Sequence, residues 1–200
     1  MIRSNMFDHS IINLNNPMEI DADGCLRYDD RVRFIASPNC DERPNDTKIT
    51  LLVIHSISLP PGEFGGNGVV ELFTNRLDPE SHPYYATITG LKVSCHFFIR
   101  RDGSVIQFVP CHRRAWHAGK SNWQGKEHCN DFSIGIELEG SDSKPFTRTQ
   151  YQTLVLLTQC LCKHYPIKDI AGHADISPGR KTDPGPYFDW KSYRKRVIHA

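Results

Sequence analysis

The sequence predicts a single α/β domain, with one mixed central β-sheet flanked by helices. Three observations predict it. Residues 49–54, Ile-Thr-Leu-Leu-Val-Ile, form a short apolar run rich in branched side chains, as a strand buried on both faces requires. Residues 132–138, Phe-Ser-Ile-Gly-Ile-Glu-Leu, alternate with period two, so they present two different faces. Residues 147–164 carry apolar side chains at helical spacing behind Thr147 and Gln150, which fit a capping box. A chain of 200 residues is the size of one domain and long enough to bury a real core.

The elements follow in chain order. Residues 1–30 are polar and lack a period, and they read as an N-terminal arm or extension before a folded domain over 31–200. SPNCDERPNDTK (37–48) is a turn-rich loop. The strand at 49–54 ends at His55. SLPPGEFGGNG (58–68) has too much Pro and Gly for regular structure. Val69 to Thr74 can form a short helix, and 78–83 is another loop. Residues 93–99 and 104–109 flank Arg-Arg-Asp-Gly, and the Asp102–Gly103 pair predicts a hairpin. Residues 110–131 are a long loop. In the alternating strand, Phe132, Ile134, Ile136 and Leu138 share one face, and Ser133, Gly135 and Glu137 the other. The helix at 147–164 puts Tyr151, Leu154, Val155, Leu161 and Cys162 on one stripe, and Pro166 follows its end. Residues 170–188 are a loop rich in Gly and Pro, and a short helix over 189–197 closes the chain.

Composition removes several classes of function. Lys and Arg total 24 against 23 Asp and Glu, a net charge of +1, which offers no field for nucleic acid or a membrane surface. No stretch approaches the roughly 18 apolar residues of a membrane span, and the polar N-terminus lacks a signal-peptide core. The expectation is a cytoplasmic protein. Its 7 Cys are an odd number without any CxxC pair, so reduced thiols packed as small hydrophobes are expected rather than disulfides or a zinc knuckle.

Five residues could carry chemistry, and each has an ordinary alternative. His55 ends a buried strand, where a rigid scaffold can present a side chain to a cleft, or it merely caps the strand. His173 and Asp183 lie in GHADISPGRKTDPGP, an irregular loop long enough to suggest a role. Two His and one Asp would give Zn²⁺ three ligands and leave a position for water, or the loop residues are simply solvated. Glu137 faces the side that bears Gly135, where a missing side chain leaves space for a ligand; desolvation there would suit it to proton transfer. Otherwise it sits on a solvated sheet face, the setting expected for Glu139. Lys181 could hold an oxyanion or serve only solubility.

Taken together, LLVIHSISLPPGEFGG, RRDG, RAWHAGKS, NDFSIGIELEG and GHADISPGRKTDPGPYFDW occur in an order that resembles the zinc amidases cleaving N-acetylmuramoyl-L-alanine. The resemblance spans roughly residues 36–190. It implies the mixed-sheet fold shared with phage amidases and peptidoglycan recognition proteins. It also implies zinc ligands at His55, His173 and Asp183, a general base at Glu137, and transition-state stabilisation by Lys181. Trp116 would wall the substrate groove or anchor its loop, and His117 would line the same site. Lys92 and His128 stand where relatives carry arginines that contact stem-peptide carboxylates, and Ser56 where they carry Asn. Lys offers a carboxylate a point charge rather than a bidentate fork, and His only when protonated. The implied substrate is a small 1,6-anhydro-muropeptide, hydrolysed by a monomer during cytoplasmic cell-wall recycling.

Two rivals remain at this stage. An exported or phage-type amidase would act on polymeric wall, which the near-neutral charge disfavours. A non-catalytic peptidoglycan recognition module could lack ligands or the acid–base residue, whereas this sequence has all five positions filled.

Overall fold

The computed structural model describes residues 17–198. In chain order it has β1 (Glu19–Ile20), β2 (Leu26–Arg27), β3 (Val32–Phe34), β4 (Cys40–Asp41), β5 (Leu51–Ile57), α1 (Gly68–Phe73) and α2 (Pro83–Thr87). There follow β6 (Phe97–Ile99), β7 (Val105–Gln107), β8 (Arg114–Ala115), β9 (Asn122–Trp123), β10 (Lys126–Glu127) and β11 (Ser133–Glu139). Last come α3 (Arg148–His164), β12 (Asp169–Gly172), α4 (His173–Ile176) and α5 (Trp190–Ile198).

Six strands form one sheet in the order β12-β5-β11-β6-β7-β3. β12, β5, β11 and β6 run parallel to one another, β6 and β7 are antiparallel, and β3 is parallel to β7. The sheet is therefore mixed and carries helices, as the sequence predicts. The expected hairpin is β6–β7, with Gly103 at φ +85° in the turn and Asp102 accepting from the Ser104 backbone N–H.

Period-two alternation divides the sheet into two environments. Leu52 and Ile54 of β5 and Ile134, Ile136 and Leu138 of β11 pack with Leu154, Leu157 and Leu161 of α3. The capping box forms as expected: Thr147 Oγ1 accepts from the Gln150 N–H, and Gln150 Oε1 from the Thr147 N–H, both at 3.0 Å. The opposite face holds Leu51 and Val53 with Ala171 and Ile176, and on the hairpin strands Phe98 and Ile106 with α1. The candidate residues His55 of β5 and Glu137 of β11 lie on this second face.

Several elements depart from expectation. The described part of the expected arm is packed: Ile20 and Leu26 of the β1–β2 hairpin are buried in the α3-side core, and the Leu26 N–H donates to Gln107 Oε1 at 2.7 Å. Residues 1–16 lie outside the described residues. The 170–188 segment is not wholly irregular, because 169–172 pairs with β5 as an edge strand and His173 opens a helical turn. The expected strand at 93–99 pairs only over 97–99. Phe132 precedes β11 and packs with Leu51 and Val53, on the face opposite Ile134. Cys162 is exposed, whereas Cys160 is buried in the core. Among the described residues no helix is long and apolar enough to cross a membrane.

Candidate metal centre and active site

β5 delivers His55 on the second face, and the edge strand β12 delivers His173 directly beyond its last residue. Asp183 arrives from the following loop, where its carbonyl accepts from the Ala174 N–H at 2.8 Å. The next turn is braced by Asp142, whose Oδ2 accepts from Thr182 Oγ1 at 2.6 Å.

The three side chains converge. His55 Nδ1 lies 3.0 Å from His173 Nδ1 and 3.1 Å from Asp183 Oδ2, and His173 Nδ1 is 3.1 Å from the same oxygen. Both histidines are buried. The His173 Nε2–H donates to the Ala118 carbonyl at 3.1 Å, which leaves Nδ1 as the ring nitrogen that faces His55 and Asp183. Burial depresses His55 to about 4, against the opposing pull of Asp183, so it is neutral at pH 7. Burial acts to raise the Asp183 carboxyl, but its contacts with His173 and His55 outweigh that and hold it well below the ordinary range. Two imidazoles and a carboxylate within about 3 Å of one another suit a borderline divalent ion such as zinc, whose bond lengths of about 2.0–2.2 Å require similarly close ligand atoms.

Glu137 and Lys181 stand beside this group in a cleft of about 240 Å³, with His117, His173 and Asp183 in the same wall. Glu137 is only 8% exposed and its Oε2 has no hydrogen-bond partner among the described residues. Burial raises its carboxyl well above the ordinary value; Asp183 adds to the rise and the Lys181 ammonium opposes it. Lys181 itself is exposed. A desolvated carboxyl, a cation and two members of the His–His–Asp group thus line one cavity, with His55 in contact behind them, a set of groups able to serve hydrolysis of a carbonyl compound.

The profile of the N-acetylmuramoyl-L-alanine amidase family matches residues 45–186. The chain belongs to this amidase family. The amidase is 56% identical over 167 residues to the 1,6-anhydro-N-acetylmuramyl-L-alanine amidase AmpD of Escherichia coli (strain K12), covering 82% of this chain and 91% of that one. It superposes on a crystal structure of a selenomethionine AmpD derivative with a TM-score of 0.85 and 52% identity, covering 90% and 99% of the two chains. It also resembles, at TM-score 0.56 and 30% identity, the E. coli amidase AmiD in complex with anhydro-N-acetylmuramic acid-L-Ala-D-γ-Glu-L-Lys, covering 81% and 67%. The family is one of enzymes, and the mixed-sheet fold is theirs.

The other expected positions are placed less centrally in the amidase. Trp116 is half-buried and its indole N–H donates to Asp41 Oδ1 at 3.2 Å. Lys92 is exposed in a hollow of about 130 Å³ that shares Leu72, Ile88 and Leu91 with the cleft. His128 is exposed and lines a separate groove of about 900 Å³ with Lys120, Ser177 and Arg180.

Two expectations are corrected here. Gly135 does not leave room for a ligand, because a Cβ there would meet the His117 ring at 2.5–2.7 Å and the ring already fills the space. Glu139 is not solvated; it is 4% exposed and accepts from the Gly65 N–H at 2.6 Å and the Arg101 N–H at 3.0 Å, tying two loops to the end of β11.

The sequence reading missed the polar support beneath the site. Asn130 Oδ1 accepts from the backbone N–H groups of His117 and Ala118, at 3.1 and 2.8 Å. Arg43 donates to the carbonyls of Asn130, Asp131, Cys111 and Ser133 at 2.8–3.1 Å. The available signal was Ser133, a small polar residue with the same parity as Glu137 on a strand whose other face is apolar.

Proposed function

We propose that this protein hydrolyses the amide between the lactyl group of 1,6-anhydro-N-acetylmuramic acid and the L-Ala of the stem peptide, with zinc held by His55, His173 and Asp183. The observation that carries the reading is the convergence of His55 Nδ1, His173 Nδ1 and Asp183 Oδ2 within 3.1 Å, beside Glu137 and Lys181 in one cleft. The relatives support the substrate: one is named a 1,6-anhydro-N-acetylmuramyl-L-alanine amidase, and another was solved with an anhydro-muramyl tripeptide. A cytoplasmic, monomeric enzyme acting on soluble fragments belongs to the same proposal.

Zinc held there supplies Lewis acidity, polarising the scissile carbonyl and acidifying water. Glu137 accepts the proton of the water that adds to the carbonyl carbon. Its unpaired, desolvated carboxylate is basic enough for this task. The Lys181 ammonium offsets the negative charge that develops on the carbonyl oxygen. Glu137 then returns the proton to the L-Ala nitrogen as the carbon–nitrogen bond breaks. The products are the anhydro-muramic acid carboxylate and a stem peptide with a free amine.

The test incubates the purified protein with anhydro-N-acetylmuramyl tripeptide and follows release of free peptide by mass spectrometry. A chelator should stop release and added Zn²⁺ restore it. Intact sacculi provide the second arm. Faster cleavage of sacculi than of the soluble fragment would replace the recycling reading with that of a wall-degrading amidase. Binding of the fragment without cleavage would leave a recognition module.

A further inference from the structure

His117 was expected to line the substrate site, yet both of its ring nitrogens are engaged by protein groups. Nδ1 lies 2.9 Å from His55 Nε2, and Nε2 lies 3.2 Å from Ser133 Oγ. The directions of these bonds follow from the far end of the chain of contacts. Ser133 Oγ is 2.5 Å from the Cys129 carbonyl, which only accepts, so the single hydroxyl proton points there. Toward His117 the hydroxyl oxygen can therefore only accept, and the proton of His117 lies on Nε2. Its Nδ1 is then a lone pair, which receives the Nε2–H of His55. The proton of His55 is thereby held away from Nδ1, the atom facing His173 and Asp183.

We propose that His117 is a positioning residue that fixes the tautomer and ring orientation of the metal ligand His55, through a relay running from the Cys129 carbonyl by way of Ser133. The inference rests on the zinc reading above and adds a role to it. The segment 117–118 serves both histidine ligands: the His117 ring holds His55, and the Ala118 carbonyl holds His173. That segment is pinned by Asn130 Oδ1 through both of its N–H groups. The His117 ring has a seat on β11 only because residue 135 lacks a Cβ. Groups that orient ligand imidazoles typically change metal affinity about 10–100-fold when removed.

The test uses the full-length protein, stripped of metal and titrated with Zn²⁺ against a chromogenic chelator. His117→Phe fills the space without an acceptor and is expected to weaken zinc binding about 10–100-fold. His117→Asn carries its amide oxygen on Cγ, where the ring carries Nδ1, and is expected to recover part of that loss. In ¹⁵N-histidine-labelled parent protein, long-range ¹H–¹⁵N correlation is expected to place the protons of His55 and His117 on Nε2, with and without zinc. Equal zinc affinity in the parent and His117→Phe, an Asn variant no better than Phe, or a His117 proton on Nδ1 each overturns the proposal. If His117→Phe does not fold, as judged by circular dichroism, the parent tautomers and the Asn variant decide. A parent that binds no zinc overturns the metal reading, whereas the tautomers of the metal-free protein still decide the relay.

Discussion

Glu137 and His55 lie directly opposite one another on adjacent parallel strands, β11 and β5. The pairing puts the candidate base and a candidate ligand on the same face, one strand spacing apart. Slipping the register by one residue would turn the Glu137 side chain onto the α3-side core. The Ile134, Ile136 and Leu138 set opposes that slip, because the same shift would expel it from the core. The apolar face thus fixes the geometry of the polar one.

Glu137→Gln keeps this packing and removes the proton acceptor. It is expected to lower kcat on the anhydro-muramyl tripeptide by about 10²–10⁴ while zinc content by elemental analysis stays at the parent level. Turnover at the parent rate would remove Glu137 from the proton transfer.

The ligand set makes a separate claim. Zinc that binds only the folded chain should stabilise it by about 2.7 kcal/mol at a free concentration of 100 Kd. The parent Tm is therefore expected to rise with Zn²⁺ in a thermal melt. His173→Ala and Asp183→Asn should each abolish the rise and copurify without metal. A variant that kept both the zinc and the shift would exclude that residue from the ligand set.

The residues on the two central strands were legible because alternation and apolar runs report burial directly. Glu137 could be placed on its face from Ser133 and Gly135 alone. The order of the strands was not legible, because pairing β5 with both β11 and β12 depends on contacts distant in sequence. His173 read as a loop residue for that reason: Asp-Ile-Ala-Gly is too short and mixed to declare itself an edge strand without β5 beside it. Glu139 read as solvated because its charge outweighs its position in any local reading, and its burial rests on N–H donors from residues 65 and 101. The role of Gly135 was misread because a missing side chain marks space without saying what fills it.

Burial of Glu137 also makes stability depend on pH. Its folded pKa lies above the unfolded value of about 4.3, so the folded protein holds this proton more tightly. Its contribution is fully present below the unfolded value and is lost as pH rises through the folded one. Glu137→Gln cannot ionise. In metal-free protein it should match the parent near pH 4 and gain on it at higher pH, by about 1.4 kcal/mol for each pH unit between the two values. Titration of His55 is common to both proteins and largely cancels. Urea melts from pH 5 to 8 measure the gap, and a gap that did not widen with pH would show the carboxyl to be unperturbed.

Two glycines of the same strand region separate the ligand support from general packing. At Gly135 a Cβ would strike the His117 ring at 2.5 Å, and at Gly140 it would strike Phe146 at 2.3 Å. Phe146 belongs to the α3-side core, remote from the relay. Alanine at either position is expected to destabilise the fold by about 1–3 kcal/mol through overpacking. Only Gly135→Ala displaces the ring that holds His55, so only it should also weaken zinc binding, by about tenfold or more. Denaturant melts of the metal-free variants give the first quantity and chelator competition gives the second. Equal loss of zinc affinity in both variants would assign the effect to overall stability and not to His117.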